Sequence, residues 1–144
     1  MPTLVRRKAP GAPALNPRQV RTFGNRMLAE LGLAEAELSV LLTDDSLIKQ
    51  LNAEHRQKDR ATDVLAFELD APDHEEPRLL GDVVISLDTA SRQASSRKRP
   101  LLAEVRFLLA HGLLHLCGYD HATAAQKREM DAWTRRLVRA AGDF

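Results

Sequence analysis

Residues 101–121, LLAEVRFLLAHGLLHLCGYDH, decide the fold, because a long apolar run here carries three of the chain's five histidines. The first sixteen positions predict a helix buried on most of its surface. Charged side chains and histidines inside the run argue against a membrane span. We therefore expect a water-soluble protein organised around a buried helix.

The histidines follow a spacing that suits a metal ion. His111 and His115 are four residues apart, so a helix places them about 40° apart on one face with Cβ atoms about 5–6 Å apart. Gly118 favours the end of the helix and a sharp turn, after which His121 can join the pair. Three imidazole ligands with one open position are typical of a catalytic zinc site. The sequence predicts one Zn²⁺ per chain, held by His111, His115 and His121.

The same spacing occurs in the protease pattern H-E-x-x-H-x-x-G-x-x-H, but Gly112 stands where the proteases have their glutamate base. Its absence argues against a peptidase. Cys117 lies about 200° around the helix from His115, which predicts a small core residue pointing away from the ligands. Asp120 has two open interpretations. It could orient a ligand, or it could serve as a turn residue or the N-cap of the last helix.

Length and composition narrow the class of protein. With 144 residues the chain fits a single domain covering 1–144, and the net charge of +1 gives no overall signal for nucleic acid or membranes. One cysteine suits a reducing cytoplasm. The N-terminus has basic residues without an apolar stretch behind them, which does not resemble a secretion signal.

Hydrophobic periodicity and end signals predict eight elements in the order αβαββααα. Asn16 and Pro17 should open the first helix, and Gly32 should end it. This order is not a βαβ alternation, and it predicts an α+β fold with a small mixed sheet packed by helices and a metal site at the end of a buried helix. The two neighbouring strands should pair. The predicted ranges are helix 17–31, strand 38–43, helix 45–56 capped by Asp44 or Asp45, strand 62–69, loop 70–78, strand 79–87, a helix capped by Asp88 through 94, helix 101–116 and helix 123–141.

The run H-G-x-L-H-L-x-G-Y-D-H resembles the YbeY family of bacterial metal-dependent single-strand endoribonucleases. Residues 51–59 (LNAEHRQKD), 62–67 (TDVLAF) and 81–86 (GDVVIS) are similar to three further motifs of that family. The resemblance runs from about Leu38 to the C-terminus. Ala66 departs from the family's usual serine, and Glu68 stands where a proline often follows.

The resemblance implies a zinc-dependent endoribonuclease acting on single-stranded RNA, in maturation of the 3′ end of small-subunit ribosomal RNA and in ribosome quality control. It also implies ribosomal or ribosome-assembly proteins as partners, and no membrane. Arg56 matches the arginine that the family places in its cleft, so we expect Arg56 to bind the scissile phosphate and to be catalytic together with His111. Whether the nucleophile is a hydroxide or the RNA 2′-hydroxyl stays open.

The remaining candidate basic residues and histidines give weaker sequence signals of function than the three clustered histidines. Residues 97–99 (Arg-Lys-Arg) form a basic run of the kind that tracks an RNA backbone, although a solvated linker is the ordinary explanation. Lys58 and Arg60 are further candidates for RNA contact. His55 and His74 lack metal-like spacing and are expected on the surface. Two other functional classes remain open: a metallopeptidase or small-molecule metallohydrolase, and a non-catalytic ribosome assembly factor with structural zinc.

Overall fold

A computed structural model describes residues 3–8, 15–56, 63–68 and 79–144, without the side chains of residues 55, 56 and 68. The predicted loop 70–78 and most of the lead-in before the first helix lie outside these ranges. The elements are β1 (Thr3–Lys8), α1 (Pro17–Glu30), β2 (Glu37–Thr43), α2 (Asp45–Arg56), β3 (Val64–Glu68), β4 (Leu79–Ser86), α3 (Leu87–Ser96), α4 (Leu101–Leu116) and α5 (Ala124–Ala141).

The strands form one mixed sheet in the order β1-β2-β4-β3. β2 is parallel to both β1 and β4, with Val5 opposite Val40 and Val40 opposite Val83. β3 runs antiparallel to β4, with Leu65 opposite Val84. The expected α+β class, the mixed sheet and the pairing of the two neighbouring strands are therefore confirmed.

β1 was not predicted, and its presence changes the topology. Thr3 and Val5 are buried, while Leu4 and the three basic residues that follow Val5 are exposed. Because β1, α1 and β2 form a parallel crossover, the chain contains a βαβ unit that the predicted order, which lacked β1, did not include.

The two faces of the sheet pack different helices. Along β2, Leu38, Val40 and Leu42 join the main core with α1, α4 and α5, while Leu41 faces a smaller cluster with Ile48 of α2. This alternation follows from the two-residue period of a strand. α2 and α4 therefore lie on opposite faces of the sheet. Among the described helices, none is long and apolar enough to cross a membrane.

Most of the predicted helix ends are confirmed. The Asn16 side chain accepts a hydrogen bond from the Arg18 amide at 3.0 Å, and the Asp44 carboxylate accepts one from the Leu47 amide at 2.9 Å. Asp88 was wrongly predicted as the cap of α3. Ser86 holds that position, with its hydroxyl accepting from the Thr89 amide at 3.3 Å.

Candidate metal centre

α4 carries two of the three histidines along the rim of the core. Eleven of its residues are buried, including Leu108, Leu109, Leu113 and Leu114. His111 and His115 are half-buried, because they lie where the helix leaves the protein interior. The packing of the apolar residues thus fixes the helix and directs both imidazoles to one edge.

The turn after α4 brings back the third histidine. Gly118 has a φ of +93°, which favours glycine. The Gly118 and Tyr119 amides donate to the carbonyl oxygens of His115 and Leu114 at 3.1 and 3.0 Å. These bonds close the C-terminus of the helix and reverse the chain, so that His121 comes beside the other two histidines. The predicted role of Gly118 is confirmed.

The three imidazoles form a compact cluster. The Nε2 atoms of His111 and His115 are 3.2 Å apart. The ring centroid of His121 lies 5.8 Å from that of His111 and 5.5 Å from that of His115. One ligand nitrogen from each ring can be chosen so that all three lie within 4.8 Å of one another. In the part of the chain that the structure describes, this is the one such group of three or more histidine, cysteine or acidic side chains.

This geometry fits a tetrahedral metal ion. Nitrogens bound at 2.0–2.1 Å in a tetrahedron are about 3.3 Å apart. The His111–His115 pair already has that separation. His121 is exposed and follows a turn, so a shift of about 1–2 Å is enough to bring its nitrogen to the same distance. The donor set is three neutral nitrogen bases, which zinc accepts readily.

Electrostatics favour the ligand-competent form of His111. Burial lowers the pKa of His111, and the neighbouring His115 lowers it further. Asp63 and Asp131 act in the opposite direction but do not reverse the shift. A neutral imidazole keeps its lone pair for a cation, so this environment prepares His111 to bind a metal at neutral pH.

At Gly112, α4 packs closely against the sheet. A Cβ placed on it would lie 2.7 Å from Cγ1 of Val83 and 3.2 Å from Cγ2 of Val64. Position 112 therefore faces the sheet rather than the open side of the metal cluster. The missing glutamate has a packing explanation, because a larger side chain at position 112 would meet the core.

Two neighbours of the cluster have defined positions. Cys117 packs against the main core and does not belong to the histidine group, as predicted. The Asp120 carboxylate accepts a hydrogen bond from the backbone amide of His121 at 2.7 Å. Thr123, not Asp120, caps α5 through a capping box with Gln126. Asp120 is thus a turn residue that fixes the backbone of a histidine in the cluster.

The structure also brings together residues that the sequence did not single out. The Phe107 ring stacks beside His111 at 6.4 Å between centroids, one helical turn earlier on α4. The negative charge of Asp63, the residue before β3, acts to raise the pKa of His111. The four-residue spacing from Phe107 to His111 was a signal that could have been used.

The arginine expected to bind phosphate cannot be placed in the same way. Arg56 is the last residue of α2, but its side chain lies outside the described residues, as do Lys58 and Arg60. The surface positions expected for His55 and His74 are likewise outside them. The catalytic roles of Arg56 and His111 therefore stay predictions.

Comparisons with known proteins agree with one another. The family model described as endoribonuclease YbeY matches residues 15–142. A protein of Anaeromyxobacter sp. (strain Fw109-5) named endoribonuclease YbeY is 53% identical over 87% of the chain and 65% of its own length. One of Moorella thermoacetica with the same name is 43% identical over 79% of the chain and 78% of its length.

The solution structure of TM1509 from Thermotoga maritima has a similar fold. The TM-score is 0.65 at 23% identity, with 96% of this chain and 89% of that one covered. The chain spans two thirds or less of the length of the first three relatives it matches, from 65% down to 42%.

Proposed function

Because the chain belongs to the YbeY family, we propose that it is a zinc-dependent endoribonuclease that cleaves single-stranded RNA. The observation that carries the proposal is the cluster of His111, His115 and His121, which fits one metal ion. The names of the relatives supply the reaction class, and the cluster supplies a chemical means of carrying it out. We propose that the whole chain, residues 1–144, acts as one domain.

The chemistry follows from the ligand set. His111, His115 and His121 would hold a zinc ion, which would supply Lewis acidity to a phosphodiester and lower the pKa of water. The chain's own contribution is to hold the three rings in place through α4 and the turn at Gly118. Burial lowers the pKa of His111 and so favours its neutral form. His111 thus acts in catalysis as a metal ligand.

Arg56 is proposed to bind the scissile phosphate. Its guanidinium can donate two parallel hydrogen bonds to phosphate oxygens and stabilise the charge that develops on them. It ends α2, on the opposite face of the sheet from α4. The chain resumes at Asp63, which lies close enough to affect the pKa of His111. Arg56 is only seven positions before Asp63 in the sequence, and this short separation supports the proposal.

The biological setting is proposed from the family alone. We propose that the substrate is small-subunit ribosomal RNA, cut in maturation of its 3′ end and in ribosome quality control. Ribosomal or ribosome-assembly proteins would then be partners, and the cytoplasm the site of action.

One comparison of substrates tests this function. The protein is incubated with a labelled single-stranded RNA and with casein, each with and without a chelator. His121→Ala removes one member of the cluster, and His74→Ala serves as the control, because His74 lacks metal-like spacing in the sequence. We expect RNA cleavage by the parent and by His74→Ala, loss of cleavage with chelator or in His121→Ala, and intact casein.

Each alternative gives a different pattern. Chelator-sensitive digestion of casein would identify a metallopeptidase and contradict the proposal. Loss of thermal stability with chelator, without RNA cleavage under any condition, would indicate a structural metal in a non-catalytic protein.

A further inference from the structure

The turn between α3 and α4 holds an arginine pair on a fully buried carboxylate. The Glu104 side chain has 0% exposure, whereas those of Arg97 and Arg99 are 50% and 34% exposed. Arg97 Nη1 donates to Glu104 Oε2 at 2.9 Å, and Arg99 Nε and Nη2 donate to Glu104 Oε1 at 3.1 and 2.9 Å. The carboxylate thus fixes both guanidinium groups at the surface.

An aromatic ring orders the same pair from a second side. The Cζ atoms of Arg97 and Arg99 lie 5.8 and 5.5 Å from the Phe107 centroid, within the range of a cation–π contact. Phe107 in turn stacks beside His111 at 6.4 Å. The two guanidinium groups therefore lie within about 12 Å of the His111 ring, since the Phe107 ring contacts all three side chains.

Arg97 and Arg99 together carry more positive charge than the buried Glu104 carboxylate neutralises. Two guanidinium groups face one carboxylate, which leaves a net positive charge, and the exposed Lys98 lies between them in sequence. Lys98 adopts a φ of +54°, a turn conformation that is uncommon for a residue with a side chain. Within the described ranges, no hydrogen bond engages Arg97 Nε or Nη2, and these groups remain available as donors.

We propose that Arg97 and Arg99, held by Glu104 and Phe107, form a binding site for the RNA backbone phosphates that flank the scissile bond. This inference rests on the proposed function, since it takes single-stranded RNA as the substrate. Guanidinium groups fixed in advance lose little side-chain entropy on binding, and the Nε and Nη2 donors of Arg97 form a fork that matches phosphate oxygens, while Arg99 adds its charge. The subsite holds a strand whose scissile phosphate lies at the metal cluster.

Binding measured against salt concentration tests the subsite directly. The probe is a fluorescent 2′-O-methyl RNA 12-mer, checked by electrophoresis to be intact after each measurement. Each phosphate contact contributes about 0.7 to the slope of log K against log salt for single strands. Arg97→Gln and Arg99→Gln should each reduce the slope by about that amount, and weaken binding about fivefold at 0.1 M salt.

Arg136→Gln is the matched control. Arg136 also has a carboxylate partner, Glu30 at 2.7 Å, and an aromatic ring, Trp133 at 4.5 Å, and it is 57% exposed. Arg136→Gln therefore removes the same charge and the same kinds of contact as Arg97→Gln and Arg99→Gln, but at the interface of α1 and α5. Its slope and affinity should stay at the parent values. An equal effect of all three substitutions would reveal a general charge effect and overturn the subsite.

A charge-preserving variant covers the case in which Glu104 without a partner unfolds the protein. Arg97→Lys keeps a cation beside Glu104 but lacks the fork, so the slope should stay and the affinity should fall about threefold or more. Parent affinity in Arg97→Lys, or parent slopes in both glutamine variants, would refute the proposal. If the parent cleaves no RNA, the proposed function fails, while the binding slopes still decide the subsite.

Discussion

Gly112→Ala tests the packing that sets the position of the metal helix. The added methyl would lie 2.7 Å from Cγ1 and 3.2 Å from Cγ2 of Val83. Val83 is fully buried and β-branched, so its side chain has little freedom to rotate away. α4 or β4 must therefore move by several tenths of an ångström, and α4 carries His111 and His115 on either side of the substitution.

The expected change in the free energy of unfolding on Gly112→Ala is the sum of two opposing contributions. Forcing a methyl group into a packed core costs about 1–3 kcal/mol. Replacing a helix glycine with alanine returns about 1 kcal/mol of helix propensity. Gly112→Ala should thus lower the free energy of unfolding by about 1 kcal/mol in the parent. In a Val83→Ala background, which removes both Val83 methyls and leaves the 3.2 Å contact with Cγ2 of Val64, the same change should stabilise by up to about 1 kcal/mol. The expected coupling is therefore up to about 2 kcal/mol.

Urea unfolding of the four proteins of this double-mutant cycle measures the coupling, at one buffered concentration of free Zn²⁺ so that metal contributes equally. Gly32→Ala is the control, because a Cβ there meets nothing within 4 Å. Its effect, which comes from a φ of +74°, should add to that of Val83→Ala without coupling. If Gly112→Ala has the same effect in both backgrounds, the close approach of α4 to Val83 is not what requires glycine.

Three further predictions concern the phosphate contact and two titrating groups. Arg56→Ala should keep the parent metal content yet cleave RNA about 30- to 1,000-fold more slowly, equivalent to about 2–4 kcal/mol, with partial recovery in Arg56→Lys. Rate and metal analyses check this, and parent-like cleavage would place the phosphate elsewhere. Burial lowers the folded-state pKa of His111 below the ordinary 6.5, so the unfolded chain binds more protons as pH falls. Urea unfolding of the metal-free protein should therefore show stability falling from pH 7.5 to 5.5, less steeply in His111→Ala; equal losses would contradict the assignment. For Asp45, burial alone raises the pKa, but hydrogen bonds from Ser86 and its neighbours and the Arg92 charge outweigh it and lower the pKa from 3.8. Asp45→Asn should cost about 1 kcal/mol at pH 7 and progressively less below pH 4, because the parent loses this stabilisation on protonation; a pH-independent cost measured by the same method would exclude a role for the charge.

Much of the helical structure could be predicted because its signals are local. The apolar run of α4 and the caps at Asn16 and Asp44 depend on neighbouring residues alone. The three histidines were also predictable, because helix geometry and one glycine turn fix their relation. These features need no knowledge of what packs against them.

The missed features depend on distant contacts. β1 has two buried residues, and its basic second half has the composition of a solvent-exposed segment. Its strand conformation depends on pairing with β2, which is distant in sequence. Asp88 has the composition of a cap, but its carboxylate instead accepts from the Asp45 amide at 3.0 Å, on another helix. The position of Gly112 against Val83, which explains the missing glutamate, arises only when α4 is laid on the sheet.

Titration of metal-free protein with Zn²⁺, followed by the rate of single-stranded RNA cleavage, tests the central claim most directly. The account predicts a rate that rises linearly to one equivalent and then levels off, with no rise for His111→Ala, His115→Ala or His121→Ala at the same zinc concentrations. Cleavage that is fully active without metal, or that survives in these variants, would contradict the assignment of the three histidines as the catalytic metal site.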